Sequence, residues 1–333
     1  MKCSRRRFLR VAGLTGLVAA TAAYTKFPGR LMRMLDMHRS PVALVPCDGY
    51  GPDLPRQLAR AWELGQGPDV AGKSVLLKPN LVDYAADRPI NTDPRFLAAL
   101  IDLLRGKGAR EIVVGEGPGN RRDIDTVLGE TGLGDVLAAR GLTFVDLNTD
   151  DLTRVAARTL DLPEPSRIAD LWLPASVRRA DLVISVAKLK THHWTGVTLS
   201  LKNLFGVVPG SRYGWPKNLL HWNGIDRSVL ELHQTVRPGF ALIDGILGME
   251  GDGPLDGTPR EAGRILAGAD LVALDATAAR SMGVRPESVL YLSAAEELGL
   301  GYARESNIEI RGEPLEKHIQ RFELPKGFEK MRG

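Results

Sequence analysis

Residues 181–192 read DLVISVAKLKTH. The first part, 182–186, is a short apolar run rich in β-branched residues, and it predicts a strand buried on both faces of a sheet. It leads directly into Ala187-Lys188-Leu189-Lys190-Thr191-His192-His193, so ammonium groups and imidazoles gather beyond its carboxyl end. Open α/β sheets bind their ligands in that position.

The same grammar repeats on either side. Residues 42–45 read as a short strand, 54–64 as a helix, and 74–81 as an apolar strand running into a Pro-Asn turn. Thr92-Asp93-Pro94 supplies a cap and a first-turn proline for a helix over 95–106. A strand over 111–115 opens into Gly115-Glu116-Gly117-Pro118-Gly119, one or two helices broken near Thr131-Gly132 occupy 123–140, and 142–147 is another strand. Beyond the opening stretch, helices are expected over 226–236, 271–282 and 289–298, with strands at 240–246 and 308–310. This alternation predicts an α/β fold: a mostly parallel, Rossmann-like sheet wrapped by helices, in two closely associated lobes that meet near 205–240. Residues 24–41 read as a tether and 313–333 as a C-terminal tail.

The densest chemistry lies between 188 and 221, where Lys188, Lys190, Thr191, His192, His193, Thr195, Thr198, Ser200, Lys202, Asn203 and His221 fall. Adjacent histidines after a buried strand can ligate a metal or move a proton. Lysines there can hold phosphate or carboxylate as point charges. A solvated basic loop whose hydroxyls cap a helix has the same composition. Lys78 and Asn80 end the second strand and read as ligand-facing, because a lysine after Val75-Leu76-Leu77 must emerge from the sheet edge. Gly115, Glu116 and Gly117 form a glycine-rich turn that permits close backbone approach to an anion; a plain tight turn reads equally well. Glu250 and Asp252, on a glycine-rich loop after a strand, suit a hard cation or ligand hydroxyls, and a solvated turn is the alternative. His233 sits mid-helix and reads as structural.

The amino terminus has its own logic. Ser4-Arg5-Arg6-Arg7-Phe8-Leu9-Arg10 precedes an apolar run from Val11 to Tyr24 with small residues at Ala20-Thr21-Ala22. This is the layout of a twin-arginine (Tat) signal peptide over 1–23, and it predicts a periplasmic or other extracytoplasmic location. The run falls short of the roughly 20 residues of a spanning helix, so a membrane is expected only through an uncleaved signal. The formal charge of +4 resides in this segment: without 1–23 the chain carries 39 basic and 40 acidic residues. A near-neutral mature chain without a basic stripe speaks against a nucleic-acid partner. Cys47 is then the one remaining cysteine, which excludes an internal disulfide and a cysteine-ligated iron–sulfur cluster. The expected partners are the Tat translocon during export and a small-molecule ligand.

Several segments together resemble the uncharacterised family called domain of unknown function 362: LLKPNLV (76–82), INTDP (90–94), VGEGPG (114–119), DLVISVAKLKTH (181–192), VTLSLKNLFGVVPG (197–210), IDGILGMEGDGP (243–254) and ILAGADLVALD (265–275). The resemblance spans most of 40–312 and implies an α/β fold without a settled activity. A weaker resemblance links 181–210 to the lactate racemase family, whose members hold a nickel-pincer nucleotide. His192 precedes Lys202 by ten residues, as a histidine precedes the tethering lysine in that family. The resemblance therefore implies a metal ion or metal-containing nucleotide as cofactor, with His192 as proton-transfer base, Lys202 as tether and His221 as metal ligand. The chain departs from that family in having Val197-Thr198-Leu199-Ser200-Leu201 where the family is glycine-rich.

Overall fold

The computed structural model describes residues 39–119, 122–160, 165–168 and 170–332. The export signal expected over 1–23 and nearly all of the tether lie outside the described residues. In chain order the strands are β1 (Ser40–Pro46), β2 (Ser74–Pro79), β3 (Glu111–Glu116), β4 (Phe144–Asp146), β5 (Leu152–Ala156), β6 (Asp170–Pro174), β7 (Leu182–His192), β8 (Gly196–Val197), β9 (Phe240–Glu250), β10 (Thr258–Gly268) and β11 (Ile308–Gly312). The helices are α1 (Leu54–Leu64), α2 (Pro94–Gly106), α3 (Ile124–Thr131), α4 (Leu133–Ala138), α5 (Ala175–Arg179), α6 (Ser200–Asn203), α7 (Gly210–Tyr213), α8 (Asn218–Trp222), α9 (Ile225–Val236), α10 (Leu271–Ser281) and α11 (Leu290–Glu297).

Nine strands make one sheet in the order β11-β1-β10-β9-β7-β2-β3-β4, with β8 paired to β7; β5 and β6 form a separate antiparallel pair. The central pairs β9/β7, β7/β2, β2/β3 and β3/β4 are parallel, and β10 is antiparallel to both β9 and β1. The α/β fold with a mostly parallel, helix-wrapped sheet is thus as the sequence predicts.

Burial follows from the two-residue period of a strand. Along β2, Val75 and Leu77 pack into the layer that holds Leu54, Leu58, Phe96 and Leu100 of α1 and α2. Leu76 faces the opposite layer, with Leu204, Val207 and Leu232. Lys78 shares the parity of Leu76, so its side chain is carried toward the layer of α6 and the turn after it. Helix α2 starts where Asp93 accepts a hydrogen bond from Arg95 N at 2.8 Å and Pro94 fills the first turn.

The strand expected at 182–186 continues to His192, so the lysines and histidines belong to the strand itself. Two pairings extend it. Strand β9 runs beside it as far as Lys190↔Met249, across an irregularity between Lys188 and Lys190, and β8 folds back to give Thr191↔Val197 and His192↔Gly196. Lys188 is accommodated because Asp244 lies 2.8 Å from its Nζ and the Tyr50 hydroxyl 3.0 Å. Strand β10 is absent from the sequence expectations because Thr258, Pro259, Arg260 and Glu261 open it with polar residues and a proline. Residues 205–240 connect β8 to β9, and β9 pairs with β7 within the same sheet. The 313–332 segment is packed: Phe322 and Met331 are buried, and Gln320 N and Phe322 N donate to Ser281 O and Met282 O at the end of α10.

One buried carboxylate secures α6 beneath the sheet. Asp275 of α10 accepts from Ser200 N at 2.8 Å, Ser200 Oγ at 2.5 Å and Leu201 N at 2.9 Å. Asp275→Ala strands three donors in a dry interior and is expected to lower unfolding free energy by about 3 kcal/mol or more; urea denaturation of the variant against the parent checks this.

Candidate functional site

At the carboxyl ends of β2, β3 and β7 lies a cavity of about 200 Å³. Asn80, Glu116, Gly117, Lys190, His192, His193, Thr198, Lys202, Asn203, Lys217 and His221 line it, with Trp194, Phe205, Pro216 and Leu255 as its apolar wall. Ten residues singled out in the sequence therefore meet there: His192, His193, Lys202, Asn80, Glu116, Gly117, Lys190, Thr198, Asn203 and His221.

Lys78 lies directly behind the wall. Its Nζ forms an ion pair with Glu116 and donates to Pro79 O at 2.8 Å and Asn203 Oδ1 at 2.9 Å. Gly206 lets this pair approach the backbone, since a Cβ there would stand 1.8 Å from Glu116 Oε1. Asn203 is fully engaged: Oδ1 also accepts from Asn80 Nδ2 at 3.2 Å, while Nδ2 donates to Lys78 O at 3.1 Å and Ser185 Oγ at 3.0 Å. It bolts α6 to β2 and β7. The bond from Asn80 Nδ2 orients that amide and leaves Asn80 Oδ1 buried without a partner; Thr198 Oγ1 is in the same condition. Both residues are cavity-lining, so each offers an unused hydrogen-bonding atom beside it.

The electrostatics are one-sided. Among the described residues, Lys190, Lys202 and Lys217 line the cavity with a single carboxylate, Glu116, already paired with Lys78. Lys190 Nζ donates to the carbonyls of Ile90 at 2.7 Å and Pro254 at 3.4 Å, which give it no counter-charge. Burial, reinforced by the charges of Lys202 and Lys188, holds its amine well below the ordinary lysine range. Burial lowers Lys202 to about 8 and Lys217 to about 7, with Asp226 and Asp146 opposing from a distance. Lys202 Nζ has no hydrogen-bond acceptor among the described residues and sits 4.7 Å over the Phe205 ring. His192 is 4% exposed; burial, then the nearby Lys202, His193, Lys190 and His221, keeps it neutral.

Backbone strain gathers here. Leu199, just before α6, has φ +75°, and Lys217, just before α8, has φ +73°. Left-handed conformations of non-glycine residues cost on the order of 1–3 kcal/mol and collect at functional sites. Lys217 was missed in the sequence because a lysine between Pro216 and Asn218 reads as an exposed loop residue; its burial is a tertiary event.

Other expected residues stand elsewhere. Gly115 packs against β4, where a Cβ would meet Leu147 and Val145 O at 3.1 Å, and Thr191 Oγ1 donates to Gly251 O at 2.8 Å. Neither lines the cavity. The metal set His221, Glu250 and Asp252 is not assembled. Glu250 accepts from Glu323 N at 2.9 Å and faces Arg260 at 3.6 Å, Asp252 is exposed, and only His221 reaches the cavity. Among the described residues no three His, Cys, Asp or Glu side chains converge to hold a metal ion. The reason is topological: β9 carries Glu250 past the cavity toward the C-terminal segment.

Comparison with known proteins places the chain. The family model described as Domain of unknown function (DUF362) matches residues 75–280. The thylakoid-associated protein sll1697 of Synechocystis sp. is 29% identical over 265 residues, covering 76% of this chain and 77% of that one. Among solved structures, the lactate racemase apoprotein of Thermoanaerobacterium thermosaccharolyticum aligns with TM-score 0.39 and 18% identity over 62% of this chain and 51% of its own. A Thermotoga maritima protein aligns with TM-score 0.34 and 12% identity over 62% of this chain and 52% of its own. The chain spans about half the length of these two structures. The family match covers more than half of the chain and takes in β2, β3, β7 and α6, which build the cavity; the chain belongs to the DUF362 family.

Proposed function

We propose that this protein is an exported enzyme that binds a small anionic substrate in the cavity and uses its histidines for proton transfer. The observation that carries this reading is the buried excess of positive charge: among the described residues, three cavity-lining lysines against one carboxylate that is already paired. A buried ammonium without a counter-charge costs several kcal/mol or gives up its proton. A bound anion removes that penalty, and the unused Asn80 Oδ1 and Thr198 Oγ1 add polar recognition.

The described residues do not fit a metal held by protein ligands alone. A metal-containing nucleotide fits in one respect. Lys202 brings a partly neutral amine to the cavity wall, the form that makes a covalent tether, and Lys190 and Lys217, each held by a backbone carbonyl, line the same cavity. Such a group would supply the metal that the side chains do not assemble. Protein purified after export through its own signal would then carry extra mass on Lys202, readable by intact and peptide mass spectrometry; an unmodified Lys202 removes the tether.

Because Lys202 and Lys217 titrate at about 8 and about 7 when folded, below the ordinary 10.5 of lysine, the unfolded chain binds more protons between about pH 7 and 10.5. Their contribution to stability therefore rises with pH across that window. An anion that holds the ammonium forms is expected to raise Tm most near pH 7, to lose its effect toward pH 10, and so to flatten the slope. Thermal melts with phosphate, oxalate and short hydroxycarboxylates check this, with Lys202→Met/Lys217→Met as the variant expected to lose part of the slope and most of the response. Equal stabilisation of parent and variant would overturn the anion site. Stabilisation by a compound that is never converted would make the protein a binder instead.

Export is supported by the Ser4–Leu9 signal pattern and by a relative named as thylakoid-associated; no helix among the described residues is long and apolar enough to cross a membrane. Arg5→Lys/Arg6→Lys is expected to leave most of the protein in the cytoplasm of a Tat-competent host, as cell fractionation and immunoblotting would show.

A further inference from the structure

Resting on the reading of the cavity as an enzyme site for a small anion, the hydrogen bonds around its two adjacent imidazoles give those rings opposite tautomers; His221 Nδ1 faces Lys217 O at 3.2 Å. His192 Nδ1 is 3.0 Å from the backbone N–H of Trp194. An amide N–H only donates, so Nδ1 holds a lone pair, and a neutral His192 carries its proton on Nε2. His193 is the reverse. Its Nδ1 lies 2.9 Å from Gly253 O; a carbonyl only accepts, so Nδ1 is protonated and Nε2 keeps the lone pair. The two rings are neighbours, with centroids 5.1 Å apart.

His193 is also the better anchored. Its backbone N–H donates to the same Gly253 O at 2.9 Å. The loop bearing that carbonyl is tied down by Thr191 Oγ1 to Gly251 O at 2.8 Å and by Gly251 N to Glu323 O at 2.8 Å. Glu250 completes the tie by accepting from Glu323 N. Glu250, first read as a metal ligand, thus belongs to the frame that orients His193, as a carbonyl or carboxylate commonly fixes an imidazole tautomer.

We propose that His193 Nε2 is the proton acceptor of the site and that His192, through Nε2–H, is a hydrogen-bond donor to the substrate oxygen that gains negative charge. The lone pair of His193 Nε2 takes a proton from a C–H or O–H of the bound anion. The electron pair of the broken bond stays on the substrate, and the developing oxyanion is met by His192 Nε2–H. The resulting His193 imidazolium keeps its Nδ1–H on Gly253 O. The substrate class is a small anion with an ionisable hydroxyl or an acidic C–H beside an oxygen.

Two-bond ¹H–¹⁵N correlation spectra of the full-length protein at pH 7.5, assigned with His192→Gln and His193→Gln, test the tautomers without a substrate. The expected result is His192 protonated at Nε2 only and His193 at Nδ1 only. His192 protonated at Nδ1, or His193 protonated at Nε2, overturns the assignment. Inorganic phosphate then probes the donor. His192→Gln, whose amide N–H replaces the imidazole donor, is expected to keep phosphate affinity within about twofold, and His192→Ala to lose about tenfold. Equal losses in the two His192 variants overturn the donor role. Failure of phosphate to bind the parent protein would sink the anion reading instead, and the spectra would still decide the tautomers.

Discussion

The rest of the site depends on one constraint: β7 carries lysines along its length into a region that water does not reach. Lys188 finds Asp244 and Lys78 finds Glu116, so each of those pairs is neutral overall. Among the described residues, Lys190 finds only carbonyls, and Lys202 and Lys217 have no carboxylate in contact. In a low-dielectric interior an ammonium left in this way is unstable against deprotonation. The cavity lysines are therefore held between the neutral and the charged form, and the anion proposed above would favour the charged one.

Holding that arrangement requires a frame that does not relax. Asn203 uses both ends of its amide to bind β2 and β7, and Asp275 grips the start of α6 from behind. Gly206 allows the Lys78–Glu116 pair to press against the turn. Leu199 and Lys217 accept left-handed backbone to put Lys202 and Lys217 on the wall. The C-terminal segment braces the opposite side: Glu323 meets the 250–253 loop, and Met331 fills the space left by Gly196 beneath the histidine hairpin. Chain segments distant in sequence are thus spent on orienting two imidazoles.

Much of this was legible in the sequence where a local rule decides the outcome. Apolar runs at 75–77 and 182–186 announce buried strands, Asp93-Pro94 announces a helix start, and the concentration of His192, His193, Lys202 and His221 announces a site. The failures share one cause. The carboxyl half of β7 looked like a loop because its lysines and histidines are polar, yet pairing with β8 and β9 makes it strand. Glu250 looked like a metal ligand because acidic residues on glycine-rich loops often are; the course of β9 takes it toward Glu323. Lys217 gains its meaning only from what surrounds it.

The sequence by itself determined the α/β class, the order of most of its elements and the types of side chain available at the strand ends, because strand and helix periodicity and turn chemistry are local properties. It also set the number of cationic and imidazole groups in play. Only the tertiary structure decided which of them lost water, which found a counter-charge and which ring nitrogen kept its lone pair. Desolvation and hydrogen-bond direction arise from groups far apart in the chain, and no local pattern of residues encodes them.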